Sequence, residues 1–130
     1  GLPELRDAWI VRRGAWRPIA WRNSCPGVPV DAAGLPDGGA LVLERRFSLL
    51  GGFAARLVRV PAAAIAAVAP GGVLEGEEIL RLDGSLLPAE NFEGVAVVRH
   101  EGRVLVGLVA DDNESALQRS LLLLFELRGR

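Results

Sequence analysis

The 130-residue chain contains no methionine and no tyrosine, one cysteine (Cys25) and one histidine (His100). One cysteine excludes an internal disulfide. One cysteine with one histidine does not make a four-ligand zinc site. A Cys–His catalytic pair would need His100, which falls in an expected hairpin turn, to reach Cys25. A serine nucleophile lacks its setting too: there is no Gly-x-Ser-x-Gly elbow, and neither Ser115 nor Ser120 has an identifiable histidine partner. Apolar runs such as 121–125 are far too short to span a bilayer, and no signal peptide is visible. Net charge is −1 and the pI about 5.9, which argues against a general nucleic-acid binder with its basic face. The first residues, Gly-Leu-Pro-Glu-Leu, have no initiator methionine, so the expectation is a piece that begins inside a longer gene product.

What the chain does have is apolar residues, half of the total, enough for a core and too many for a disordered segment. Their spacing is that of strands. Segments 7–11 and 15–21 read as a pair around Arg12-Arg13-Gly14, with Pro18 fitting a sheet edge. Trp9, Trp16 and Trp21 all fall in this pair and form either a core face or a stacking platform for a ligand. After a loop over 23–29, strands are expected at 31–35 and 40–47 around the turn Pro36-Asp37-Gly38-Gly39. A loop over 48–53 and a strand over 54–60 follow. Segment 62–68 is alanine-rich and bounded by Pro61 and Pro70, so it is a short helix or a loose insert. A strand at 77–82 ends in a hairpin-type turn at Asp83-Gly84. Strands at 92–98, 103–110 and 120–127 complete the chain, with a polar loop over 111–119 that holds a helical turn at 114–117.

Two stretches repeat one plan. Asp31 enters the first, which turns at Leu35-Pro36-Asp37-Gly38 and leaves through Leu41 to Glu44-Arg45-Arg46-Phe47. The second enters at Asn91-Phe92-Glu93-Gly94, turns at His100-Glu101-Gly102 and leaves through Asp111-Asp112-Asn113 towards Gln118-Arg119. Laid over each other, Asp31 falls with Glu93, Gly38 with Gly102, and 54–60 with the final strand. Three strands per unit with an insert between them suggest blades of a β-propeller, which takes about four strands in 40 to 50 residues per blade. The fold class expected is therefore all-β, an incomplete propeller or one closed by assembly. Residues 1–27 would add strands to the same domain, and units at about 28–82 and 88–130 would form the repeat region. A compact antiparallel β-sandwich is the alternative. Two blades alone leave open edges, so self-association or a missing N-terminal part would complete the fold.

These words, in this order, resemble the phytase-like family, also called the esterase-like activity of phytase family, over about residues 28–127. The resemblance places the chain as the C-terminal part of such a protein. It implies a propeller-like fold, a periplasmic or secreted bacterial protein, and hydrolysis of phosphate or carboxylic esters. The matching positions are Glu44, Arg45 and Arg46; Asn91, Glu93 and Gly94; and Asp111, Asp112, Asn113, Gln118 and Arg119. Glu114 stands where the family commonly has an aromatic residue.

The residue types suggest a chemistry. Glu93, Asp111, Asp112 and Asn113 offer hard oxygen ligands suited to Ca²⁺ or Mg²⁺, although their spacing is not that of an EF-hand. Such an ion would hold a phosphate oxygen and activate a water, with Asp111 and Glu93 as the catalytic carboxylates. Arg46, Arg119 and Asn91 would bind an anionic small-molecule substrate. Asp31, Glu44, Arg45, Gly94 and Gln118 would be structural, and since neighbours on a strand face opposite sides, at most one of Arg45 and Arg46 faces a given pocket. The competing reading gives the whole set one role: ion pairs and loop caps that tie neighbouring blades in a non-catalytic scaffold or binding module. No nucleic-acid or membrane partner is expected.

Overall fold

The structure is a computed structural model and describes residues 4–23, 27–111 and 120–129. Alternating side chains shape the first hairpin, in which β1 (Glu4–Arg12) pairs along its whole length with β2 (Ala15–Asn23). Its two turn residues, Arg13 and Gly14, both have positive φ, as a two-residue turn matched to strand twist requires. An antiparallel meander follows: β3 (Val28–Gly34), β4 (Ala40–Ser48) and β5 (Gly52–Val60). Then come a short helix, α1 (Ala62–Ala67), a two-residue strand, β6 (Val73–Leu74), and β7 (Glu77–Leu82). A second meander ends the chain: β8 (Phe92–His100), β9 (Arg103–Ala110) and β10 (Leu121–Leu127). The fold is all-β, with three sheets in the orders β1-β2-β6, β3-β4-β5-β7 and β8-β9-β10. No helix among the described residues is long and apolar enough to cross a membrane.

The β3–β7 sheet lies between the other two, and the period of two along its strands makes both its faces useful. Leu41, Leu43, Ala55, Leu57 and Leu82 pack against Phe92, Val95, Val106, Leu108 and Ala110 of the third sheet. The opposite face, with Val58, Val60 and Val42, packs against Trp21, Ala8 and Leu74 of the first sheet and Ala64 and Ile65 of α1. Each fully buried leucine or valine contributes about 1.5–3 kcal/mol, so the two seams carry most of the fold. The outward faces of the stack are also apolar. Leu5, Trp9, Val11 and Trp16 are exposed on the first sheet, and Val98, Val109, Leu122 and Leu124 on the third.

Several expectations change here. The three tryptophans do not share a face: Trp21 is buried, whereas Trp9 and Trp16 are 59% and 69% exposed on the other side of the hairpin. Strand β2 is central, not an edge, because β6 pairs in parallel with Ala20 and Trp21. Pro18 lies just before that pairing, and its carbonyl accepts from Gly71 N at 2.8 Å. The loop expected over 48–53 shrinks to a turn at 49–51, because Ser48, Gly52 and Phe53 belong to the strands, paired as Phe47–Phe53 and Ser48–Gly52. Asp83-Gly84 makes no hairpin, since β7 and β8 belong to different sheets. Asp83 instead accepts from Ser85 N at 3.0 Å and begins a crossing between layers. Of the two readings of 62–68, the short helix is the one found, and Arg12 donates to carbonyls of Ile65, Ala66 and Val68 at its end.

Candidate functional site at the seam between two sheets

The end of β4 meets the start of β8. Alternation turns Glu44 towards the first sheet and Arg45 towards the third, where Arg45 Nη1 donates to Asn91 Oδ1 and, at 3.2 Å, to Glu93 Oε1. Asn91 is buried and closes the triangle by donating Nδ2 to Glu93 Oε1 at 2.9 Å. The Asn91 carbonyl accepts from Asp111 N at 3.1 Å, which brings the end of β9 to the same corner. Glu93 protrudes because β8 is bulged there: Phe92 pairs with Ala110 and Gly94 with Val109, leaving Glu93 as the extra residue. One carboxylate oxygen of Glu93 is thus fixed, and the other has no donor among the described residues. The guanidinium of Arg45 has its Cζ 5.8 Å from the centroid of the Phe53 ring, and Phe53 in turn lies 4.8 Å from Phe47. The corner combines a cation, a held carboxylate, an exposed Asp111 and an aromatic wall.

Other expected residues serve the seams. Asp31 Oδ2 accepts from Val95 N at 2.8 Å, and its Oδ1 from Ala32 N at 2.9 Å, so one carboxylate on β3 caps an edge donor of β8. Strand β3 carries a bulge of its own between Pro29 and Asp31, and when the two bulges are aligned Asp31 corresponds to Gly94. A Cβ on Gly94 would lie 3.8 Å from Asp31 Oδ2, an ordinary contact. Glu44 is only 1% exposed; it accepts from Trp21 Nε1 at 2.8 Å and from Arg56 Nε, joining the first two sheets. Arg46 points to the face opposite Arg45 and is exposed, so it does not share the corner with Glu93. Asp112, Asn113, Gln118 and Arg119 lie outside the described residues. Among those described, no three His, Cys, Asp or Glu side chains form a metal-holding group.

At the opposite end of the same seam a cleft of about 730 Å³ is lined by Asp37, Arg59, Glu77, Phe125 and Arg128, among others. Both of its arginines are already paired. Arg59 pairs with Asp37 at 3.3 Å and Arg128 with Glu126 at 3.4 Å. The Asp37 carboxyl is held below its ordinary value by the Gly39 N–H and by Arg59, against some opposing desolvation.

The aromatic pair was not among the expected site residues. Reading 48–53 as loop hid it, yet the signal is present: Arg45 and Phe47 are two apart on one strand face, and Gly51-Gly52 marks the turn that returns Phe53 beside them.

A family profile described as "Phytase-like: Esterase-like activity of phytase" matches residues 11–114. No curated protein and no solved structure matches the chain. With most of its length under that profile, the chain belongs to the phytase-like family, whose description names an esterase-like activity.

Proposed function

We propose that the corner formed by Arg45, Asn91, Glu93 and Asp111 binds and hydrolyses an ester, either an anionic phosphoester or a carboxylester whose oxyanion develops during the reaction. The observation that carries this reading is the Arg45 guanidinium: Nη1 is fixed by Asn91 and Glu93, while Nε and Nη2 have no acceptor among the described residues. A planar cation with free donors suits a phosphate or a developing oxyanion. In this reading Arg45, rather than Arg46, holds the substrate oxygen. Asn91 orients Glu93, and the second carboxylate oxygen of Glu93 or the exposed Asp111 carboxylate takes the proton of an attacking water. The donor chemistry also fits a hard cation, with Glu93 and Asp111, joined by Asp112 and Asn113, as the residues that would hold Ca²⁺ or Mg²⁺. Such an ion would supply charge neutralisation and a more acidic water. Arg119 keeps its sequence-based role as a second cation for the substrate.

The test is hydrolysis of p-nitrophenyl phosphate and p-nitrophenyl acetate, with Ca²⁺, with Mg²⁺ and with chelator. The expected result is turnover that falls about 10²–10⁴-fold in Glu93→Gln or Asp111→Asn. Turnover that survives both substitutions, or that is absent under all conditions, refutes it.

A second reading has its own support. Asp31 on Val95, Glu44 on Trp21 and Arg45 on Asn91 each cross a seam, as ties in a scaffold would. We also infer that the three sheets are propeller-like blades. Two are largely antiparallel meanders and the third is a hairpin extended by the parallel β6; they stack face to face, and both outward faces are apolar, ready for further sheets from a longer chain or a second copy. A periplasmic or secreted location accompanies the family reading.

A further inference from the structure

We infer that the substrate class of this corner is an ester carrying an apolar acyl, alkyl or aryl group, held against the underside of the β4–β5 ribbon; this rests on the hydrolase reading above. Strand β3 accompanies β4 only as far as the pair Val28–Arg45, and β7 accompanies β5 only as far as Ala55–Leu82. Residues 46–54 therefore extend beyond both neighbours as a two-stranded flap that, among the described residues, pairs only with itself. Within the flap Phe47 and Phe53 are directly opposed, and both lie on the face that carries Arg45. Their rings are 4.8 Å apart, and the Arg45 guanidinium sits against the Phe53 ring on one side and against Asn91 and Glu93 on the other. Phe47 remains 58% exposed, and Leu49 and Leu50 at the tip are essentially free of neighbours.

Large apolar side chains kept in water beside a partly engaged cation have an uncompensated hydration cost. An amphiphilic ester removes it. The charged or carbonyl oxygen meets Nε and Nη2 of Arg45, which have no acceptor among the described residues, and the apolar group lies along Phe53 and Phe47 towards the leucine tip. A purely polar phosphate would satisfy the arginine alone and leave the aromatic face wet. The flap thus sets selectivity by the length of the apolar group, and Phe47 and Phe53 are its specificity-determining residues.

The experiment uses the full chain and two readouts. Titration calorimetry with methyl, butyl and octyl phosphate, below their aggregation limits, should show affinity rising about twofold or more per methylene up to the reach of the flap. Hydrolysis of p-nitrophenyl acetate, butyrate and octanoate should show KM falling in the same order. Phe47→Ala and Phe53→Ala, checked for native circular dichroism, should collapse the octyl-to-methyl affinity ratio at least fivefold, with Phe47→Leu intermediate. Length-dependent binding that needs Phe47, without any turnover, supports the apolar site and defeats the hydrolase reading. Turnover indifferent to chain length supports the hydrolase reading and overturns this inference. It is equally overturned by no binding of any alkyl phosphate, or by a flap that binds phosphatidylglycerol vesicles or a protein partner while ignoring monomeric octyl phosphate.

Discussion

Replacing Glu44 tests how the two seams are coupled. This carboxylate is buried between the first and second sheets, accepts from Trp21 Nε1 at 2.8 Å and from Arg56 Nε, and precedes the residue that reaches into the candidate site. In Glu44→Ala the indole N–H is left buried without this acceptor, which costs about 1–3 kcal/mol. Arg56 also loses its close partner. Breaking a buried pair costs about 3–5 kcal/mol, but Arg56 is 22% exposed and keeps Glu78 at 3.8 Å, so about 1–2 kcal/mol is the better figure here. Together the substitution should cost about 3–4 kcal/mol, a large share of the stability of about 5–15 kcal/mol typical of a domain. Glu44→Gln still offers one acceptor to two donors and should cost about 2 kcal/mol. The triple change Trp21→Phe, Glu44→Leu, Arg56→Met removes both of these donors together with the carboxylate and should recover much of the loss, since a packed apolar replacement is often neutral. Urea unfolding followed by circular dichroism and tryptophan fluorescence measures all three. A Glu44→Ala cost below about 1 kcal/mol, or a triple variant no better than the single one, would refute the reasoning.

Two further outcomes are expected. Asp31→Ala should cost about 1 kcal/mol and speed exchange of the Val95 amide specifically, because that N–H loses its acceptor across the seam; unchanged protection at Val95 would count against the tie. Asp37 has its carboxyl lowered from 3.8 chiefly by the Gly39 N–H and also by Arg59, so its contribution is present above that value and lost as pH falls through the lower folded one. Denaturation midpoints from about pH 4 down to pH 2 should therefore fall less steeply in Asp37→Asn than in the parent chain.

The all-β class, the two meanders and most turns are legible because strand period and Pro-Asp-Gly or Glu-Gly turns are local signals. Strand β6 is not: two residues, Val73 and Leu74, have no pattern of their own and become strand only by lying beside β2. The period of two already sets Trp16 and Trp21, five apart on β2, on opposite faces, but which face the hairpin buries is decided by the layer placed against it. Overlaying the repeats without their bulges sets Asp31 against Glu93; the pairing sets it against Gly94, one residue on. Alternation did separate Glu44 from Arg45 in sequence, and it is what sends them to different seams. Arg45 is placed there with the structural residues and Arg46 with the substrate, because nothing local shows that Asn91, Glu93 and Phe53 will surround Arg45.

The path of the chain divides the molecule unequally. After β5 it goes back to lay β6 on the first sheet and then returns as β7 to the second, so those two layers are stitched by strand exchange. The third sheet is reached once, through residues 83–91, and exchanges no strand with the others. Its release therefore breaks a seam without unthreading anything, and a single proteolytic cut in 83–91 would leave two pieces with their internal pairings whole. The candidate site lies across that seam, with Arg45 and Phe53 on one piece and Asn91, Glu93 and Asp111 on the other. Ligand binding and docking of the third sheet are then linked equilibria: whatever clamps the corner also latches the sheet, and a population with the sheet swung away has no site at all.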